Sequence, residues 1–105
     1  MNRLEHLLII VAEECAEVAQ RCTKALRFGL IEVQPGQPLS NAERISQEYG
    51  DLVAALMLLH RECPGILPQI TDEALEAKRQ KIEQYLRYSA VMGCLQQHPR
   101  EDSKC

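Results

Sequence analysis

Two apolar stretches of the sequence are each interrupted by a pair of acidic residues spaced three apart. The first pair is Glu14 and Glu17, and the second is Glu48 and Asp51. On an α-helix this spacing places both carboxylates of a pair on one face, about 5–6 Å apart. Carboxylates beside a hydrophobic core repel one another and are costly to desolvate unless a cation lies among them. The pattern therefore predicts two helices that together hold a divalent metal ion.

Hydrophobic periodicity predicts an all-α chain that begins with a pair of long helices. Residues 3–28 form the first helix, and a second begins at the capping box of Ser40 and Glu43 and ends near Glu62. The connector between them, residues 29–40, is long for a helical hairpin, in which loops of about two to eight residues are usual. It is predicted to be either a lid over a site or a plain surface loop.

A third helix is predicted from a cap at Thr71 to about Ser89. For residues 90–97 the sequence leaves two alternatives open, a short fourth helix or a continuation of the third. Residues 98–105 are predicted to be a disordered tail, so the helical domain covers residues 1–97. The predicted architecture is an antiparallel hairpin plus a further helix, with a four-helix-bundle-like core that oligomerisation completes.

Each of the first two helices carries an apolar seam with alternating steps of four and three residues. The predicted seam residues are Leu4, Leu8, Val11, Cys15, Val18, Cys22 and Ala25 on the first helix, and Ile45, Tyr49, Leu52, Leu56 and Leu59 on the second. The chain has five cysteines, an odd number, and no Cys-x-x-Cys pair. We therefore expect reduced thiols that act as small core hydrophobes, not zinc ligands.

The four carboxylates lie on the same rotational side of the two predicted seams, at about 100° per residue. If the helices run antiparallel, both pairs project from one side of the hairpin, whereas parallel helices would separate them. Oxygen ligands suit Mg²⁺, or Mn²⁺ in its place, better than zinc. Glu13 points away from the first pair and is the weakest ligand candidate. The alternative is that these carboxylates are ordinary surface groups that pair with Arg21, Lys24 or Arg44.

Further candidate residues are basic or aromatic. The basic ones would suit the polyphosphate of a nucleotide, and the aromatic ones would suit its base. They are Arg21, Lys24 and Phe28 on the first helix, and Lys78, Lys81, Tyr85 and Tyr88 on the third. The alternative is an ordinary salt bridge between Glu17 and Arg21 and a solvated lysine face.

Charge and hydropathy limit the partners that we expect. The net charge of −3 gives no basic surface for nucleic acid. The first six residues lack the pattern of a signal peptide, and acidic residues interrupt every apolar run before it reaches membrane-spanning length. The sequence therefore predicts a cytoplasmic protein with neither a nucleic-acid nor a membrane partner.

The acidic motif resembles that of a known family. Glu13-Glu14-x-x-Glu17, followed after thirty residues by Glu48-x-x-Asp51 in an apolar helix, is similar to the EExxE…ExxD signature of the MazG-like all-α nucleoside triphosphate pyrophosphohydrolases. The resemblance covers about residues 5–90. It implies Mg²⁺-dependent cleavage between the α and β phosphates of a nucleotide, which gives a monophosphate and pyrophosphate, by a homodimer or homotetramer.

The resemblance also implies roles for individual residues. The metal ligands would be Glu14, Glu17, Glu48 and Asp51. Glu13 and Glu14 would be catalytic, with Glu13 either a ligand or the base that orients the attacking water. Lys78 and Lys81 match basic positions of the family's third helix, whereas Ile82 stands where the family often has an asparagine that contacts the nucleotide.

Two other functions stay open at this point. One is a non-catalytic helical module, such as a phage accessory or antitoxin-like protein, whose acidic face binds a basic partner. The other is a relative of the phosphoribosyl-ATP pyrophosphohydrolases. A di-iron bundle needs Glu-x-x-His pairs, and none of His6, His60 and His98 lies three residues after a glutamate.

Overall fold

A computed structural model describes residues 1–65 and 70–96 of the chain, which form three helices and, within these ranges, no strand. The helices are α1 (Arg3–Phe28), α2 (Asn41–Glu62) and α3 (Asp72–Val91). The predicted all-α class is confirmed, as are the approximate bounds of the three helices. The predicted tail, residues 98–105, lies outside the described residues. None of the three helices combines the length and apolar character that crossing a membrane requires.

Capping boxes set the start of the first two helices. In α2, the Glu43 amide donates to Ser40 Oγ at 3.2 Å and the Ser40 amide donates to Glu43 Oε1 at 3.0 Å, as predicted. The bond from the Ser40 amide lowers the pKa of Glu43. The same arrangement begins α1, where the Glu5 amide donates to Asn2 Oδ1 at 2.8 Å. At the other end, Gly29 terminates α1 with a φ of 99°, a conformation that glycine adopts without strain.

The end of α3 decides between the two alternatives for the residues that follow it. The Gly93 amide donates to the Ala90 carbonyl at 3.0 Å, and the Cys94 amide donates to the Ser89 carbonyl at 2.9 Å. This pair of bonds, with Gly93 at a φ of 81°, is a Schellman motif and ends the helix. The described residues beyond it contain no fourth helix.

The described residues fall into two compact units, one with α1 and α2 and the other with α3, and each is described by itself. Within the first unit, Arg3 Nε at the start of α1 pairs with Glu62 Oε1 at the end of α2, at 3.0 Å. At the opposite end, Asn41 Nδ2 donates to the Gly29 carbonyl at 2.8 Å. The predicted antiparallel hairpin is therefore confirmed. The bundle core completed by oligomerisation stays a prediction.

The first part of the connector is fixed to the start of α2. Asn41 is only 2% exposed, and its Nδ2 donates to the Gly29 carbonyl and to Glu32 Oε1, both at 2.8 Å. The backbone amide of Asn41 also donates to the Glu32 carbonyl at 3.0 Å, and the backbone amide of Ala42 donates to the Leu30 carbonyl at 2.9 Å. A lid movement would therefore have to come from the connector residues that follow Glu32.

The seam that joins α1 to α2 differs from the predicted one. The prediction is wrong for Leu8, Cys15, Cys22 and Tyr49, which are exposed, so Cys15 and Cys22 are not core residues of this hairpin. Among the buried and half-buried positions, those that form one continuous stripe on each helix, which we call the packing seam, are Leu7, Val11, Glu14, Val18, Arg21 and Ala25 on α1, and Asn41, Ile45, Glu48, Leu52, Ala55 and Leu59 on α2. Each helix is rotated by about 40–50° from the predicted contact. In both helices the central apolar row keeps its place in the contact, and the row that contains Glu14 or Glu48 replaces the predicted row on its other side.

Candidate metal centre

Three of the four predicted ligands come together in the structure. Glu14 and Glu17 of α1 and Glu48 of α2 each offer a carboxylate oxygen, and the three oxygens lie within 4.8 Å of one another. We call these three residues the acidic cluster. The prediction that antiparallel helices bring both acidic pairs to one side of the hairpin is confirmed for these residues.

The positions of the acidic cluster follow from the packing seam. Glu14 occupies the seam position between Val11 and Val18, and Glu48 faces it from α2. Both glutamates are half-buried, whereas Glu17, one helical turn beyond Glu14, is exposed. Two carboxylates thus stand where a helix pair would ordinarily place apolar side chains. The local energetic cost of this arrangement falls if a cation joins them.

Repulsion and burial shift the acidity of the two seam glutamates. When Glu48 is protonated it donates a hydrogen bond to Glu17, and this bond, followed by burial and by the charges of Glu17, Asp51 and Glu14, raises the pKa of Glu48. Burial also raises the pKa of Glu14, and the charges of Glu17, Asp51 and Glu13 raise it further. The causes of both shifts are burial and neighbouring acidic groups, and each of these disfavours the charged form of the carboxylate.

Glu76 on α3 shows the opposite behaviour of a paired glutamate. Arg79 donates to it from Nε at 2.9 Å and from Nη2 at 2.8 Å. These bonds lower the pKa of Glu76 to about 2. The contrast with Glu14 and Glu48 indicates that the acidic cluster is not arranged as a set of ordinary surface salt bridges.

The hydrogen bonds and ion pairs of the cluster's carboxylates indicate whether the cluster fits a metal ion. Glu14 Oε2 and Glu48 Oε2 are buried and have no hydrogen-bond partner. Within residues 1–65 and 70–96, no ion pair joins a predicted ligand to a basic side chain. The alternative pairing with Arg21, Lys24 or Arg44 is therefore not formed there, and Arg44 Nη1 donates instead to Gln34 Oε1 at 3.3 Å. A donor set made only of carboxylates fits a hard cation, and its assignment as Mg²⁺ or Mn²⁺ stays a prediction.

Asp51 and Glu13 lie at the edge of the cluster. Both are exposed, and neither belongs to the group of three whose oxygens lie within 4.8 Å. The charge of Asp51 nevertheless raises the pKa of Glu14 and of Glu48, while that of Glu13 raises the pKa of Glu14 alone. Their predicted roles, as fourth ligand and as base, stay predictions.

Basic residues follow the acidic cluster along α1. Arg21 lies on the packing seam seven residues after Glu14, about 10 Å along the helix axis. Its Nε and Nη1 atoms are buried without a hydrogen-bond partner, and Lys24 is half-buried. Phe28 is 53% exposed, and the Arg27 guanidinium lies 4.8 Å from its ring centre. The sequence identified Arg21 as a candidate but gave no sign that its nitrogens would be buried and unpartnered.

The predicted substrate residues of α3 share one surface of that helix. Lys78, Lys81 and Tyr85 border a shallow hollow together with Ile82, and Tyr85 is 58% exposed. Because α3 belongs to the second compact unit, a connection between these residues and the acidic cluster stays a prediction.

Comparison with known proteins finds no matching protein family, curated protein or solved structure. The resemblance to the MazG-like enzymes therefore stays a prediction that depends on the acidic motif and on the geometry of its residues.

The raised pKa values predict how the stability of the metal-free protein depends on pH. A group whose pKa is raised by folding stabilises the folded state fully below its ordinary value, 4.5 for these glutamates, and that contribution is lost as the pH rises through the raised pKa. Near neutral pH without metal, the acidic cluster should therefore be destabilising. We expect Glu48→Gln to melt a few degrees above the wild type in EDTA at about pH 7, with a smaller difference at about pH 5.

Thermal melts followed by circular dichroism measure this difference, with Glu83→Gln on the exposed surface of α3 as the control. Mg²⁺ should raise the wild-type melting temperature and have less effect on Glu48→Gln. If Glu48→Gln melted below the wild type in EDTA, the expectation that the acidic cluster destabilises the metal-free protein would be wrong.

Proposed function

We propose that this protein is a Mg²⁺-dependent nucleotide pyrophosphohydrolase that cleaves a nucleoside triphosphate between its α and β phosphates. The products would be a nucleoside monophosphate and pyrophosphate. The observation that carries the proposal is the acidic cluster, in which Glu14, Glu17 and Glu48 bring oxygens within 4.8 Å of one another. Two of these glutamates each have a buried oxygen without a partner, which suits a cation.

The cluster residues would act as ligands, and its neighbours would complete the site. Glu14, Glu17 and Glu48 would hold the cation, with Asp51 as the fourth ligand. When bound, Mg²⁺ neutralises phosphate charge and makes the phosphorus more electrophilic. Glu13 would accept the proton of the water that attacks the α phosphorus. The oxygen that bridges the α and β phosphates would leave with pyrophosphate.

Arg21 and Lys24 would bind phosphate oxygens beside the cluster. The buried nitrogens of Arg21 without hydrogen-bond partners support this role, because phosphate oxygens could accept hydrogen bonds from them. Phe28, Lys78, Lys81 and Tyr85 are proposed to contact the remainder of the nucleotide. The proposal includes a homodimer or homotetramer located in the cytoplasm, without nucleic-acid or membrane partners.

A panel of canonical and modified nucleoside and deoxynucleoside triphosphates, with phosphoribosyl-ATP included, tests this function. We expect pyrophosphate and the monophosphate as products, dependence on Mg²⁺ and loss of activity with EDTA. An analogue with a methylene group between the α and β phosphates is the control and should stay intact.

The outcomes separate the alternatives that the sequence left open. A non-catalytic module should release no pyrophosphate from any substrate of the panel. Preference for phosphoribosyl-ATP over all other substrates would favour that related activity. Release of inorganic phosphate in place of pyrophosphate would overturn the assigned cleavage position.

A further inference from the structure

Three basic residues lie beside one another on the α1–α2 hairpin. They are Arg21 and Lys24 on α1 and Arg44 on α2, and we call them the basic cluster. All three are half-buried, and all belong to the first compact unit. The function proposed above gives Arg44 no role.

The rotational positions of these residues bring them to the side of the hairpin that carries the acidic cluster. Arg21 and Lys24 lie about 40° and 100° from the centre of the packing seam, in the same direction as Glu17. On α2, Arg44 lies about 60° from the seam centre, in the same direction as Asp51. Because the helices are antiparallel, equal rotational directions on the two helices face the same side of the hairpin.

The register of the hairpin brings the basic cluster to one level along the helix axes. The packing seam ends at Ala25 on α1 and begins at Asn41 on α2, and both residues are buried. With these two residues level with each other, Arg21 and Arg44 lie within about 2 Å of one another along the axis. Lys24 lies about 3 Å beyond Arg44, towards the end of the hairpin. The three cations are therefore neighbours.

The basic and acidic clusters are adjacent without forming ion pairs. Arg21 lies four residues after Glu17, and Arg44 lies four residues before Glu48, which is the spacing of a helical salt bridge. Within the two ranges that the structure describes, neither ion pair is formed. Arg44 Nη1 donates instead to Gln34 Oε1 of the connector, at 3.3 Å. The positive charges thus stay available to an anionic ligand.

Burial and repulsion make the basic cluster unfavourable when no anion is bound. Among the described residues, Arg21 Nε and Nη1 are buried without a hydrogen-bond partner. A buried donor of a charged group that lacks an acceptor destabilises the folded state, and the neighbouring charges of Lys24 and Arg44 add repulsion. An anion with several oxygens removes both costs, because it accepts the hydrogen bonds and neutralises the charges.

The distance between the two clusters indicates the length of the anion. Arg21 lies one helical turn beyond Glu17, about 6 Å along the axis. A chain of linked phosphates can extend over this distance, so that one phosphate contacts the cation held by the acidic cluster and another contacts the basic cluster. A single phosphate reaches only one of them.

We propose that Arg21, Lys24 and Arg44 form a binding site for an oligophosphate, the chain of linked phosphates that pyrophosphate and nucleoside triphosphates share. Arg44 completes the site. When the ligand binds, its guanidinium exchanges the neutral acceptor Gln34 for an anionic oxygen, and charge-assisted hydrogen bonds are the stronger kind. The inference rests on the proposed function for the class of substrate, whereas binding of the oligophosphate does not require cleavage.

Isothermal titration calorimetry with inorganic pyrophosphate in the presence of Mg²⁺ tests the site. Pyrophosphate is the proposed product, so its binding is measured without cleavage and without a nucleoside. We expect Arg44→Gln to weaken pyrophosphate binding at least about tenfold, because it removes one of the three cations. Arg61→Gln makes the same change at an exposed position of α2 and should alter the affinity less than about twofold. Circular dichroism checks that both variants stay helical.

Further ligands identify which part of a nucleotide the site binds. Orthophosphate should bind at least about tenfold more weakly than pyrophosphate, because it cannot reach both clusters. A nucleoside triphosphate analogue with a methylene group between the α and β phosphates should lose the same factor as pyrophosphate in Arg44→Gln. A nucleoside without phosphates should bind equally to the wild type and to the variant.

Gln34→Ala is a second variant, which leaves all three cations in place. It removes the acceptor that competes with the ligand for Arg44, so pyrophosphate binding should stay at the wild-type level or become tighter. A loss as large as that expected for Arg44→Gln would overturn the proposal, because Arg44 would then act by holding the connector and not by binding phosphate.

Other results would also overturn the proposal. They are a wild type that does not bind pyrophosphate, an Arg44→Gln variant with wild-type affinity, an equal loss in Arg61→Gln, and binding of orthophosphate as tight as that of pyrophosphate. Pyrophosphate release from the nucleotide panel is measured separately. Binding through Arg44 without any cleavage would refute the proposed activity alone, and cleavage with unchanged affinity in Arg44→Gln would refute this site alone.

Discussion

Glu14→Ala and Asp51→Ala are each expected to reduce Mg²⁺-dependent pyrophosphate release by at least about a thousandfold, which corresponds to about 4 kcal/mol of lost transition-state stabilisation. Glu14 provides a buried oxygen of the acidic cluster, and the charge of Asp51 acts on both seam glutamates. Without either carboxylate the cation would be held weakly or in the wrong place. Initial rates with the best substrate of the nucleotide panel measure the effect.

The helical fold should survive both substitutions. Alanine favours helix, and the change at Glu14 removes a carboxylate whose pKa is raised by burial and by the charges of Glu17, Asp51 and Glu13. Circular dichroism should therefore show wild-type helicity, while the stabilisation by Mg²⁺ is lost in Glu14→Ala. Glu83→Ala on exposed α3 is the control and should keep wild-type activity. Near wild-type turnover in Glu14→Ala would refute the ligand assignment. If only Asp51→Ala kept near wild-type turnover, the ligands would be restricted to the three residues of the acidic cluster.

Local chemistry explains why the helix bounds could be predicted from the sequence. A capping box such as Ser40 with Glu43 joins residues three apart, and Gly29 ends α1 through its own backbone conformation. Neither depends on distant parts of the chain. Asn41 was missed as an anchor because its bond to the Gly29 carbonyl joins residues twelve apart, and no local pattern indicates that contact.

The packing seam could not be predicted because α1 offers two possible contact stripes. Both share Val11, Val18 and Ala25. One stripe adds Leu8, Cys15 and Cys22, and the other adds Leu7, Glu14 and Arg21. Counting apolar residues favours the first, yet the second faces α2. The competition between the two stripes is decided by the fit to α2, which periodicity does not describe.

The acidic cluster was nevertheless predicted because both helices are rotated in the same sense. A common rotation keeps Glu14 and Glu48 on one side of an antiparallel hairpin and moves them from its edge into the seam. The glutamates are therefore half-buried, and this burial contributes to their raised pKa values. The row of Leu8, Cys15 and Cys22, which the hairpin leaves uncovered, stays exposed.

Leu59→Ala is expected to lower the free energy of unfolding by about 2–4 kcal/mol, because it opens a cavity in a small core. Leu59 is only 2% exposed and lies at the end of the hairpin that the pair of Arg3 and Glu62 closes. Met57→Ala, at a position of α2 that is 67% exposed, is the control and should change stability by no more than about 0.5 kcal/mol.

Urea denaturation at a fixed protein concentration measures both variants, since any association would add concentration-dependent stability. Contact between α1 and α2 is what holds Glu48 against Glu14, so the loss of packing at Leu59 should also weaken the stabilisation by Mg²⁺. Equal losses in Leu59→Ala and Met57→Ala would mean that the hairpin interior does not hold the two helices together. The acidic cluster would then lack the scaffold on which both the metal site and the proposed activity depend.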